Sequence, residues 1–184
     1  MKNISTYLTE KLKISSSIPK YAYVPKTYED LKEHIGEHYY NYGVNTDMND
    51  IDVSYITDMS YLFKFGKAEN IDISEWNVSN VTNMKGMFED CIKFNCDLSE
   101  WNVSNVTDMF VMFSGCKKLN SDLSKWDVSN VEDMGSMFED CESFDQDLSK
   151  WDISNVENMD DMFSGCKANP PKWYDDYMNG TLHK

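Results

Sequence analysis

Four tryptophans, Trp76, Trp101, Trp126 and Trp151, follow one another at intervals of 25 residues. Met84, Met109, Met134 and Met159 keep the same interval, and so do Phe88, Phe113, Phe138 and Phe163. A fixed period of this length is the signature of a repeat array, whose units are too small to bury their apolar residues alone and bury them against one another. Residues 71–95 and 96–120 are identical at 16 of 25 positions. A degenerate copy precedes them at 46–70, with Ile51 at the tryptophan phase, Val53 and Ile56 at the valine phases, and Met59 and Phe63 at the methionine and phenylalanine phases. The units are therefore 46–70, 71–95, 96–120, 121–145 and 146–170.

Each unit holds two hydrophobic periods. In Leu98-Ser99-Glu100-Trp101-Asn102-Val103 the apolar Trp101 and Val103 alternate with polar neighbours, which predicts a short strand with one buried face. Val106, Met109, Phe113 and Cys116 then follow at the spacing of one helical face. Ser129 with Glu132, and Ser154 with Glu157, have capping-box spacing and mark the expected helix starts. The expected fold is thus an α/β repeat: a right-handed solenoid with a short parallel strand and a short helix in each coil. The column Asn80, Asn105, Asn130, Asn155 falls where strand would turn into helix, and it predicts a ladder of side-chain amides bonded to the adjacent coil's backbone.

An array needs its ends covered. Residues 1–45 are expected to form a helical N-terminal segment and cap. In it, Thr27 and Asp30 would start a helix bearing Tyr28, Leu31, Ile35, Tyr39 and Tyr42, preceded by a short amphipathic piece with Ile4, Leu8 and Leu12. Residues 171–184 are expected to form the C-terminal cap. There Pro170-Pro171 stop the repeat, and Trp173, Tyr174, Tyr177 and Met178 supply an apolar lid that Gly180 ends.

The motif W-[ND]-[VI]-S-N-V-x-[ND]-M-x-x-M-F, present four times, resembles the BspA-like leucine-rich-repeat family, also known as domain of unknown function 285. The resemblance spans about residues 46–170, and the lead-in from Tyr23 through Ile35 is similar to that of such arrays. It implies a leucine-rich-repeat-like solenoid and a role in binding proteins or host surfaces, on bacteria or in phage and virus genomes. It implies no catalytic residues.

The formal charge of −15 disfavours nucleic acid, since the 17 basic residues do not cluster, and favours a basic protein partner. No apolar run is long enough to insert in a membrane. Read as given, the first residues lack an apolar signal core, so the cytoplasm is the expected location, with the cell surface open to a chain carrying an upstream leader. Cys91, Cys116, Cys141 and Cys166 share one phase, which reads as a buried column, while Cys96 lies off it.

Two outward columns flank the tryptophans. One is Glu75, Glu100, Lys125, Lys150; the other is Asp52, Asn77, Asn102, Asp127, Asp152. On parallel strands they would form one regular polar strip, and this strip is the expected binding face. A further column, Asp47, Asp72, Asp97, Asp122, Asp147, suits calcium in principle, but the glycine-rich calcium repeat is missing and turn capping is the simpler reading. His34 and His38 have a metal-capable spacing without the adjoining glutamate or a third ligand, so they read as two surface histidines and no metal or cofactor is expected. No nucleophile, general base or phosphate loop recurs, and the function expected is non-catalytic protein–protein interaction. The alternatives are a bacterial surface adhesin or phage- or virus-encoded host-interaction protein, and an effector or inhibitor acting through residues 1–45.

Overall fold

The computed structural model describes residues 21–43, 45–64, 68–167 and 169–181. The amphipathic piece expected around Ile4, Leu8 and Leu12 lies outside them.

The 25-residue units lie on top of one another in register. Parallel bridges join Asp58 to Asn83, Asn83 to Asp108, Asp108 to Asp133 and Asp133 to Asn158. The phenylalanine rings stack as one column, with centroids 5.5 Å apart from Phe63 to Phe88, 5.5 Å to Phe113, 5.9 Å to Phe138 and 5.6 Å to Phe163. The Trp, Val, Met, Phe and Cys columns line a single continuous core in which most side chains are less than 5% exposed.

The strand and helix expected in each coil are both absent from the described residues, and a chain of tight turns replaces them. Ser99 and Glu100 form a turn, not the middle of a strand. Around each coil, one buried residue's N–H bonds back to the carbonyl of the buried residue three before it. Examples are Trp76 N to Ile73 O (3.1 Å), Val81 N to Val78 O (2.9 Å), Met87 N to Met84 O (3.1 Å) and Cys91 N to Phe88 O (2.9 Å). The three-residue spacing of apolar side chains, read as one face of a helix, is the spacing of these corners.

A helix is excluded here because its backbone donors are used between coils. The N–H groups of Met84, Gly86, Phe88 and Asp90 donate to Asp108, Phe110, Met112 and Ser114 of the next coil at 2.8–2.9 Å. To aim alternate donors the same way the chain turns left-handed at two phases. Tyr61, Gly86, Val111, Ser136 and Asp161 have φ of 49–57°, and Asp90, Gly115, Asp140 and Gly165 have φ of 55–74°. Val111 is the costliest of these, since a β-branched residue in that region gives up about 1–2 kcal/mol.

Side chains then occupy the second lone pair of the corner carbonyls. Ile73 O accepts both its own corner's Trp76 N–H and the next coil's Trp101 Nε1–H at 3.2 Å; Leu98 O and Leu123 O do the same with Trp126 and Trp151 at 3.0 Å. Phe88 O likewise takes the Cys91 N–H and the Cys116 thiol at 3.0 Å. These corner carbonyls thus accept two hydrogen bonds each, one within the coil and one from the next.

Helix α1 (Tyr28–Tyr42) covers the first coil. The Thr27 hydroxyl accepts the Asp30 N–H at 3.1 Å, and Leu31, Ile35 and His38 are buried. Tyr42 is exposed. The lead-in pairs with coil 1 through a parallel bridge from Tyr23 to Ile51. Helix α2 (Lys172–Met178) covers the last coil. Its Trp173 Nε1 donates to Leu148 O at 3.1 Å, repeating the tryptophan bond of the coils from a helix, and Tyr174 packs edge-on to Phe163 with centroids 5.1 Å apart. Met178, expected in the lid, is exposed.

Tyrosine hydroxyls meet the backbone groups that the end coils leave over. At the first coil Tyr28 donates to Ser60 O at 3.0 Å. At the last coil the Tyr177 hydroxyl accepts from Met159 N at 3.4 Å and donates to Asp160 Oδ1 at 2.8 Å.

Candidate functional site

Of the expected strip, Glu75, Asn77, Glu100, Asn102, Lys125, Asp127, Lys150 and Asp152 are exposed and Asp52 is half-buried. They occupy the rims of successive corners. In the Asn77–Asp127 column the side-chain oxygen accepts the N–H of the serine two residues on: Ser54 to Asp52 at 3.0 Å, Ser79 to Asn77 at 3.2 Å, and Ser104, Ser129 and Ser154 to Asn102, Asp127 and Asp152 at 3.1 Å. Ser129 Oγ adds a second bond to Asp127 at 2.6 Å. One oxygen of each side chain therefore holds a turn, and the rest faces solvent. In the other column Lys125 Nζ lies 4.0 Å from Glu100 Oε1 with both groups exposed, a pair worth little.

The Asp47–Asp147 column holds turns in the same way. Asn49, Ser74, Ser99, Ser124 and Ser149 donate their N–H groups to Asp47, Asp72, Asp97, Asp122 and Asp147 at 2.9–3.1 Å. Serine hydrogen bonds hold the Asp72, Asp97, Asp122 and Asp147 carboxyls below the usual carboxylate range, and at Asp97 the neighbouring Asp122 and Asp72 charges oppose that. Among the described residues no group of three or more His, Cys, Asp or Glu is placed to hold a metal ion.

The asparagine ladder is present. Asn80, Asn105, Asn130 and Asn155 donate through Nδ2 to Ser54, Ser79, Ser104 and Ser129 carbonyls at 2.6–2.7 Å. Beside it runs the column Thr57, Thr82, Thr107, Glu132, Glu157, whose glutamates the sequence placed only at expected helix starts. Between the two columns Asn105, Thr107, Asn130, Glu132, Asn155 and Glu157 line an open polar groove. The valine between each pair points into the core, so the Asn-Val-Thr and Asn-Val-Glu triplets were the signal for two outward columns separated by an inward one.

His38 is not on the surface. It is 8% exposed, with Nε2 3.5 Å from Asp50 Oδ1 and Nδ1 3.4 Å from Thr46 Oγ1, while His34 stacks on Tyr23 at 3.8 Å. Together they join α1, the lead-in and coil 1. Burial pushes the Cys116, Cys141 and Cys96 thiols up, so none is a ready nucleophile.

A continuous buried core, coils that bond to their neighbours at the 25-residue interval and a polar flank of repeating columns define a tandem-repeat protein. The chain belongs to the family described as Mycoplasma protein of unknown function, DUF285, which matches residues 33–136 and 100–174. No curated protein and no solved structure matches the chain. No helix among the described residues is long and apolar enough to cross a membrane.

Proposed function

We propose that this chain is a non-catalytic protein–protein interaction module, a right-handed solenoid of the BspA-like leucine-rich-repeat kind whose polar, acidic flank binds a partner. The supporting observation is the division of labour within a coil. Indole, thiol and amide side chains saturate the backbone between coils, while the outward columns around Asp127 and Asp152 repeat without contributing to the core. Such a flank is pre-organised, so little ordering entropy is lost when it is bound. The net charge of −15 steers a basic partner toward it.

The test is co-purification from native lysate with mass spectrometry, repeated with Asp127→Lys and Asp152→Lys together. Loss of the captured partner by a variant that remains folded, with an unfolding midpoint lowered only by the loss of the two aspartate turn bonds, is the expected result. Capture at the parental level by the folded variant would reject the flank.

A further inference from the structure

The groove beside the asparagine ladder changes character along the array. In coils 2 and 3 the threonine hydroxyl continues the ladder: Thr82 Oγ1 donates to Thr57 O and Thr107 Oγ1 to Thr82 O, each at 3.2 Å. In coils 4 and 5 glutamate takes this place, and a carboxylate has no proton to donate. Each exchange gives up a side-chain bond of a kind worth about 0.5–1.5 kcal/mol.

The structural role expected for these glutamates does not exist. Ser129 and Ser154 start no helix, and their N–H groups are taken by Asp127 and Asp152 at 3.1 Å, not by Glu132 and Glu157. Both glutamates are exposed, and among the described residues neither carboxylate meets a cation. Adjacent coils also place the two like charges on neighbouring rungs, with no intervening positive charge among the groove residues. Two coils thus depart from the ladder rule at neighbouring rungs with no gain to the fold, the pattern expected of a functional position.

The groove's chemistry names the ligand class. Glu132 and Glu157 carboxylates lie in one row, and Asn130 and Asn155 in the next. Because each amide's Nδ2 is held by the coil before it, at 2.7 Å for Asn130 and 2.6 Å for Asn155, its orientation is fixed. No lysine or arginine lines the groove. We infer that this groove receives an arginine side chain of a partner protein, its guanidinium bridging Glu132 and Glu157 beside the fixed amides of Asn130 and Asn155. A guanidinium suits the site better than an ammonium. Its planar fork of five donors can reach two carboxylates on adjacent rungs, whereas lysine offers one compact, strongly hydrated charge. This deepens the interaction reading above and rests on it.

The test uses the full chain and a short acetylated, amidated peptide of alternating arginine and glycine, with lysine–glycine and citrulline–glycine counterparts. Binding is followed through the Asn130 and Asn155 side-chain amide resonances. The arginine peptide is expected to shift both, at least tenfold more tightly than the citrulline peptide and measurably more tightly than the lysine peptide. Glu132→Thr with Glu157→Thr, which restores the threonine of the earlier coils, is expected to keep or raise the unfolding midpoint while weakening arginine-peptide binding at least tenfold. A lower midpoint would overturn the inference by showing that the glutamates serve the fold. Equal binding of citrulline, undiminished binding by the double variant, or the same resonance shifts from calcium chloride alone would also overturn it. If the arginine peptide fails while partner capture still depends on Asp127 and Asp152, the inference falls and the interaction reading stands.

Discussion

Replacing Trp126 by Phe tests whether the indole bonds hold the coils together. Trp126 is 4% exposed, and its Nε1–H reaches Leu98 O at 3.0 Å, a carbonyl that already accepts the Trp101 N–H at 3.1 Å. The variant keeps the corner bond and loses the inter-coil one, about 1 kcal/mol. The smaller ring leaves a void costing about 1–2 kcal/mol more, so the total is about 2–3 kcal/mol. Trp173→Phe is the internal control. It removes the same bond, to Leu148 O at 3.1 Å, from a half-buried side chain at the end of the array. Water can replace that bond and fill that space, so about 1 kcal/mol is expected. Urea unfolding followed by far-ultraviolet circular dichroism measures both, with midpoints compared at constant slope. Equal costs for the two variants, or a cost for Trp126→Phe under about 0.5 kcal/mol, would refute the view that doubly occupied corner carbonyls cement the stack.

Two further outcomes follow from backbone and charge. Gly115→Ala places a Cβ 2.6 Å from Asp90 Oδ1 at a φ of 74°, and should destabilise by about 1–2 kcal/mol. Gly36→Ala, in α1 with open space around it, should instead stabilise by about 0.5–1 kcal/mol, both read by thermal or urea unfolding. Acid should weaken the protein through the aspartate turns. The Asp72, Asp97, Asp122, Asp147 and Asp152 carboxyls titrate lower when folded than when unfolded, so the unfolded chain binds more protons as acid is added. Their contribution is complete above the ordinary carboxyl pKa of about 3.9 and is lost as pH falls through the folded values. Unfolding midpoints that stay flat from pH 5 to pH 2 would contradict this.

The stacking register and the core were legible in the sequence because a strict period places like residues at like depth whatever local conformation carries them. The conformation was not, since apolar residues three apart fit the corners of a turn-rich coil as well as a helix face. The contrary signal lay in Gly86, Gly115 and Gly165, glycines inside the segments read as helix, which mark the left-handed phases. The aspartates and asparagines two residues before serine were the second signal, since such pairs favour turns over strands. The same ambiguity hides the groove, because Glu132 and Glu157 also match capping-box spacing.

The hydroxyls of Tyr28 and Tyr177 act in opposite senses toward the backbone at the two ends, donating a hydrogen bond to a carbonyl at one and accepting one from an amide at the other. One residue type can therefore terminate either end of a polar stack. Units added or removed between such ends leave the terminating bonds unchanged, so the reach of the array can vary without altering its caps.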